Sequence, residues 1–280
     1  MNPTRRDLLK TTGLGAAALL AGTAGLTRPA SATTLAEIKA RGYMIVATED
    51  DFRPFEFIKD GKPTGYDTEL LELWRKTVPF QIRQEIIPWT GLLPGVGSGK
   101  YDCAVTAAVI TAERQKFLTY CSPIAESQAY YVKRKADKSI TAVKDLTGKK
   151  CGVQAGSALL SGLTALEDML KPTNGKMGEV VQYVSYPEAY QDLAIGRTDY
   201  VVNTFINLQT LIQEKPKVFE MGKAVGPKVY IAWAVKKDAL DLKQAADTFL
   251  LSARKNGEMK KLQQKWFGTT FEMPEQYVIT

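Results

Sequence analysis

Short apolar runs alternate with amphipathic stretches along this chain, and that alternation restricts the fold more than any single motif. Tyr43 to Ala47, Gln81 to Ile87 and the run opening at Asp102 read as strands. A short helix over Leu35 to Arg41, stopped at Gly42, precedes the first. Between them, Leu70, Leu71 and Trp74 share one face of an amphipathic helix over Thr68 to Lys76. Pro88-Trp89 starts another helix, which leads through the Gly97-Ser98-Gly99 turn. Parallel strands need such crossovers, so a β-α-β-α-β series specifies a mainly parallel sheet with helices on its faces.

The pattern then runs again. Ser127 to Lys133 reads as a strand leaving the first sheet, followed by a polar stretch to Ala142. Lys149 to Gln154 is a strand, and Ala155-Gly156-Ser157-Ala158 turns into a helix reaching Leu170. Val180 to Val184 (strand), Tyr186 to Ile195 (helix) and Arg197 to Asn203 (strand with a polar end) follow. Phe205 to Glu214 is helical, Val229 to Val235 is an apolar strand, and Asp238 to Trp266 gives two helices broken near Asn256-Gly257. Two successive α/β series predict two similar lobes.

Composition narrows the chemistry. The 280 residues are 45% hydrophobic and 24% charged, enough for two domains with ordinary cores. Net charge is +7; residues 1–32 hold Arg5, Arg6, Lys10 and Arg28 against Asp7, so removing them leaves +4. The remaining lysines are dispersed, which does not suit nucleic acid. There is no histidine, excluding Ser-His-Asp and Cys-His centres and any His-ligated metal. Cys103, Cys121 and Cys151 form no zinc pattern, and no cofactor motif is present. Buried free thiols are the expectation, with Cys103 and Cys121 the pair if a disulfide forms.

The N-terminus reads as an address. Arg5-Arg6-Asp7-Leu8-Leu9-Lys10 precedes an apolar run from Thr11 to Leu26, and Ala30-Ser31-Ala32 offers a cleavage site after Ala32. The run falls short of the roughly 20 residues a membrane span needs. The paired arginines resemble a twin-arginine export signal, which implies a periplasmic protein that folds before export.

Asp102 to Pro123 is the stretch around which a site can be built. Its strand ends in small residues, Ala107-Ala108, that let a ligand approach the backbone. Thr111 is a candidate helix N-cap with Arg114 one turn in, so amides and a guanidinium can converge on a carboxylate. The plainer reading is a capped turn with a surface arginine.

Several motifs in order resemble the amino-acid-binding family of bacterial periplasmic solute-binding proteins, family 3 type, of ABC importers. They are Phe52-Arg53-Pro54-Phe55-Glu56-Phe57 with Gly61 and Gly65-Tyr66-Asp67; Ile110-Thr111-Ala112-Glu113-Arg114 with Tyr120-Cys121-Ser122-Pro123; and Gly148 to Val153. Gly196-Arg197-Thr198-Asp199 and Lys265-Trp266-Phe267-Gly268 complete the series. The resemblance covers roughly Leu35 to Phe267. It implies an α/β periplasmic-binding-protein fold of two lobes, each a mainly parallel sheet flanked by helices, joined by a two-strand hinge. Lobe one would be 33–124 with 232–280, lobe two 130–226, and the crossings 125–129 and 227–231. A small solute would be captured as the lobes close, and the closed form read by an inner-membrane permease; a monomer is expected.

By the same resemblance, Arg114 grips a ligand carboxylate with backbone amides near Ala107 to Val109, and Phe52 and Trp89 sandwich the rest of the ligand. Core packing is the alternative for both rings. Glu49 and Asp51 sit where some members hold a cationic group, unless they form a solvated acidic loop. Ser157 faces the cleft, with Gln154 a weaker candidate. The chain departs from the family pattern at Val109 and Ala158, usually hydroxyls, and at Asn203, usually the aspartate that holds an α-ammonium. An amide cannot compensate a buried ammonium as a carboxylate does, so an amino-acid derivative is expected over a plain amino acid. Cyclohexadienyl dehydratases share this fold, but their general acid would fall at Ile206, which cannot move a proton. A binding protein, not an enzyme, is the expectation.

Overall fold

The computed structural model describes residues 33–279. The expected export signal and the expected cleavage site after Ala32 lie outside the described residues.

Thr34 and Glu37 form a reciprocal capping box that starts α1 (Leu35–Arg41), and Gly42 ends it in the left-handed conformation. The chain continues through β1 (Tyr43–Glu49), the short β2 (Asp51–Phe52), β3 (Glu56–Lys59) and β4 (Lys62–Thr64), α2 (Tyr66–Arg75), β5 (Gln81–Ile87), α3 (Trp89–Ser98) and β6 (Cys103–Val109). Next come β7 (Leu118–Tyr120), β8 (Ala125–Arg134), β9 (Cys151–Gln154), α4 (Ala158–Ser161), α5 (Leu163–Leu170) and β10 (Val180–Tyr183). The last elements are α6 (Tyr186–Ala194), β11 (Tyr200–Thr204), α7 (Phe205–Glu214), β12 (Phe219–Lys236), α8 (Leu240–Lys255) and α9 (Glu258–Phe267).

A single sheet runs through the molecule in the order β10-β9-β11-β8-β12-β6-β1-β5, with β7 paired to β12. In one half β1 pairs in parallel with β5 and β6; in the other β9 pairs in parallel with β10 and β11. The long antiparallel strands β8 and β12 belong to both halves and pair from Ala125 with Ile231 to Arg134 with Phe219. β6 and β11 are buried along nearly their whole length. This is the two-lobed α/β fold expected from the sequence.

The first half packs around aromatic side chains. Trp74 and Trp233 lie 5.6 Å apart, with Phe249 5.9 Å from Trp74. Burying one such ring removes roughly 150–250 Å² from water, worth about 4–6 kcal/mol. Trp233 also donates its indole N–H to Asp67 Oδ1 at 2.7 Å, giving the start of α2 a buried partner. Gly65 precedes that helix at φ +124°, and a Cβ there would lie 2.3 Å from the Phe55 carbonyl oxygen. Only glycine fits, so the loop carrying Phe52 is held against α2.

Two of the expected helices differ from the sequence expectation. Thr111 Oγ1 accepts from the Arg114 amide at 3.2 Å, but the turn it caps is a single 3-10 turn, Arg114–Lys116, not an α-helix. The helix expected from Ala158 to Leu170 is broken at Gly162 into α4 and α5. All three cysteines are free and buried.

Candidate functional site

In sheets of this kind, ligands bind beyond the carboxyl ends of parallel strands, where side chains and amides emerge together. Here β1 ends at Glu49, β6 at Ala107 to Val109, β9 at Gln154, and β11 at Asn203-Thr204. The first two come from one half of the molecule and the last two from the other, so the strand ends face each other across a cleft.

Glu49, Phe52, Trp89, Ala107, Val109, Arg114 and Ser157 all line one compartment in that cleft, together with Gln154 and Tyr186. Its free volume is about 20 Å³. Asp51 and Asn203 are placed differently: they line an adjoining cavity of about 400 Å³.

Arg114 is buried by the turn that follows β6, with its guanidinium carbon 5.0 Å from the Trp89 ring. The guanidinium donates to the Val109 carbonyl at 2.9 Å and, across the cleft, to the Gly156 carbonyl at 3.3 Å. Gly156 holds φ +69° between β9 and α4, which turns its carbonyl toward the arginine's half. Tyr120 Oη also donates to Val109, at 3.1 Å. Burial lowers the Arg114 pKa from its usual value, and Tyr120 and Glu49 act against that.

Glu49 is the buried acid. It is the last residue of β1 rather than part of a solvated loop, and only 3% of it is exposed. Burial raises its pKa to about 8, against the hydrogen bond from Gln154 Nε2 to Oε1 at 2.6 Å; Asp50 and Asp51 raise it further. Glu49 and Arg114 spend their hydrogen bonds on Gln154 and on carbonyls, and the two groups, a carboxyl and a guanidinium, face one small space lined by aromatic rings.

Trp89 is the first residue of α3, fixed by Pro88, and Tyr186 is the first residue of α6, followed by Pro187. Each half thus delivers an aromatic ring to the cleft from the first residue of a helix, α3 after β5 and α6 after β10. Sequence reasoning missed Tyr186; the shared aromatic-next-to-proline signal would have found it. The Tyr186 hydroxyl is buried without a hydrogen-bond partner. Ser157 Oγ caps α4 by accepting from Leu160 N at 3.1 Å.

Asn203 is buried and committed. Its Oδ1 accepts from Thr204 N at 2.7 Å, and its Nδ2 donates to Tyr190 Oη at 2.7 Å. A third cross-cleft bond runs from Asn207 Nδ2 on α7 to the Arg53 carbonyl at 2.6 Å. With the Gln154–Glu49 and Arg114–Gly156 bonds it holds the two halves together, each worth roughly 0.5–1.5 kcal/mol.

Several proteins similar to this chain are named for binding amino acids. The chain is 29% identical over 237 residues to the L-cystine-binding protein TcyJ of Escherichia coli (strain K12), covering 84% of this chain and 86% of that protein. An amino acid ABC transporter substrate-binding protein from Streptococcus pneumoniae, bound to L-arginine, superposes with a TM-score of 0.74 at 26% identity, covering 84% and 98%. An ancestral amino acid-binding protein, a precursor of cyclohexadienyl dehydratase, gives 0.73 at 25% identity, covering 83% and 98%. The model of one family matches residues 44–269, nearly all of the described chain, and the protein therefore belongs to the bacterial extracellular solute-binding proteins, family 3.

Proposed function

We propose that this chain is the solute-binding component of an ABC importer for a small zwitterion, whose carboxylate takes the Arg114 guanidinium and whose cationic group faces Glu49. The observation carrying this reading is that one buried compartment presents both a guanidinium and a carboxyl group able to ionise against a cation. A bidentate carboxylate would replace the two carbonyls that now satisfy Arg114, exchanging neutral acceptors for a charge-assisted pair. A cation beside Glu49 would be flanked by Phe52, Trp89 and Tyr186, ring faces that favour it further. The L-cystine-binding relative and the neighbour bound to L-arginine support an amino acid or derivative. The Val109 and Ala158 side chains supply no hydroxyl to a plain α-ammonium, and Asn203 turns to Tyr190, which supports a cation near Glu49 instead.

In this reading β8 and β12 act as the hinge over 125–129 and 227–231, between lobes spanning 33–124 with 232–280 and 130–226. The partner is an inner-membrane permease, the protein works as a periplasmic monomer, and residues 1–32 are its export signal. Among the described residues no helix is long and apolar enough to cross a membrane.

The solute leaves unchanged. The neighbour that is a precursor of cyclohexadienyl dehydratase makes a lyase the second reading. Ile206, buried on α7, offers no proton at the position where such chemistry is expected. A thermal-shift screen against amino acids, their amides and N-alkyl derivatives, small carboxylates and quaternary amines tests the assignment. Stabilisation by zwitterions that disappears in Arg114→Ala supports it. An unchanged shift in that variant, or mass-spectrometric recovery of a dehydrated product, refutes it.

A further inference from the structure

The compartment between Arg114 and Glu49 has room for about one water, 20 Å³, since a water needs roughly 10–15 Å³ of such space. The adjoining cavity is far larger, about 400 Å³. Phe52 and Tyr186 line both spaces; their rings, 5.9 Å apart and tilted by 37°, form the wall between them. A solute anchored at Arg114 therefore gains space most readily by turning those two rings aside.

The larger cavity is built for a polar group of mixed character. Arg53 lies 3.2 Å from Asp51 and 3.8 Å from Glu214, so both charge signs line it. Asn203, 1% exposed, commits one amide hydrogen to Tyr190 Oη. The Tyr190 hydroxyl thereby accepts one hydrogen bond and keeps its own hydrogen for an acceptor in the cavity. Asn207, also buried, ties the cavity floor to the opposite half through Arg53. The carboxylates suit an ammonium; the guanidinium and the tyrosine hydroxyl suit a carbonyl or carboxylate.

We propose that the natural solute is an elongated amino-acid derivative: one end lies between Arg114 and Glu49, and the other, an amide or second zwitterionic group, passes Phe52 and Tyr186 into the larger cavity. This rests on Arg114 as the carboxylate anchor.

The test is calorimetric titration of the purified protein with L-norleucine, Nε-acetyl-L-lysine and L-cystine. The first lacks a second polar end; the others carry an amide and a second zwitterion. At least one elongated probe binds tenfold or more tightly than norleucine. Thr210→Phe, which fills the cavity from α7, and Tyr190→Phe, which removes only the hydroxyl, each weaken that probe at least fivefold more than norleucine. If Thr210→Phe does not fold, Tyr190→Phe carries the test alone. Equal affinity for short and elongated probes, equal weakening of all of them, or no binding of either elongated probe overturns the proposal. Arg114→Ala separates the two levels. Binding that survives it sinks the anchor assignment, whereas binding lost there but indifferent to Tyr190→Phe and Thr210→Phe leaves the anchor standing and removes only the second subsite.

Discussion

Binding of a cationic group at Glu49 must expel a proton. In the closed site without solute, burial holds the Glu49 pKa at about 8, so at pH 7 roughly nine-tenths of the molecules carry the neutral acid. The sign follows from the folded pKa lying above the ordinary 4.5. The favourable contribution of this group to the closed state is complete below about pH 4.5 and is lost as pH rises through about 8. At about 1.4 kcal/mol per pH unit the whole loss is on the order of 5 kcal/mol. A cation paired with the carboxylate offsets it. Each solute bound at pH 7 then releases about 0.9 proton, and affinity climbs about tenfold per pH unit from pH 5 to 7, levelling above pH 8. Calorimetry in phosphate and in Tris, whose ionisation enthalpies differ, measures the proton count directly. Glu49→Gln should abolish both the release and the slope. Tight binding with no proton release, or the same release from Glu49→Gln, would refute the reasoning.

Three further outcomes are expected. Arg114→Ala loses roughly 2–5 kcal/mol of affinity for a carboxylate solute, read by titration, with a smaller effect on thermal stability because the guanidinium bonds only carbonyls in the closed form. Beneath the site, Glu56 accepts from Thr106, and burial followed by the charge of neighbouring Asp67 pushes its pKa well up, disfavouring the ionised form. Glu56→Gln should therefore stay within about 1 kcal/mol of wild type in urea unfolding, while Asp67→Ala, stranding the Trp233 indole N–H, costs roughly 1–3 kcal/mol. Gly65→Ala should cost more than about 2 kcal/mol in the same assay, because it combines a left-handed φ with a 2.3 Å approach to the Phe55 carbonyl.

Elements marked by period and punctuation were legible in the sequence. Gly42, Pro88 and Asn256-Gly257 bound helices where their chemistry requires, and the apolar β1, β5 and β6 runs are strands. The first half of β12 was not legible, because Phe219 to Gly226 mixes charge and glycine and its ladder with β8 shifts register between Met221 and Lys228. At the site, the acidic triplet Glu49-Asp50-Asp51 was visible, but which acid turns inward depends on where β1 stops. Asn203 stood out as a departure, yet its commitment to Tyr190 follows from how α6 packs on β11, a tertiary fact that local patterns do not encode. Tyr190 and Asn207 were hidden for the same reason.

The three buried thiols carry a practical consequence. Cys103 and Cys151 are wholly enclosed and Cys121 nearly so, and burial raises the Cys151 pKa to about 12, so none offers an accessible thiolate. A single cysteine added on the rim of the larger cavity, such as Lys215→Cys at the exposed C-cap of α7, would be the one thiol that maleimide reagents reach. A polarity-sensitive dye coupled there would report occupancy as a change in emission, turning the molecule into an optical gauge for its own solute.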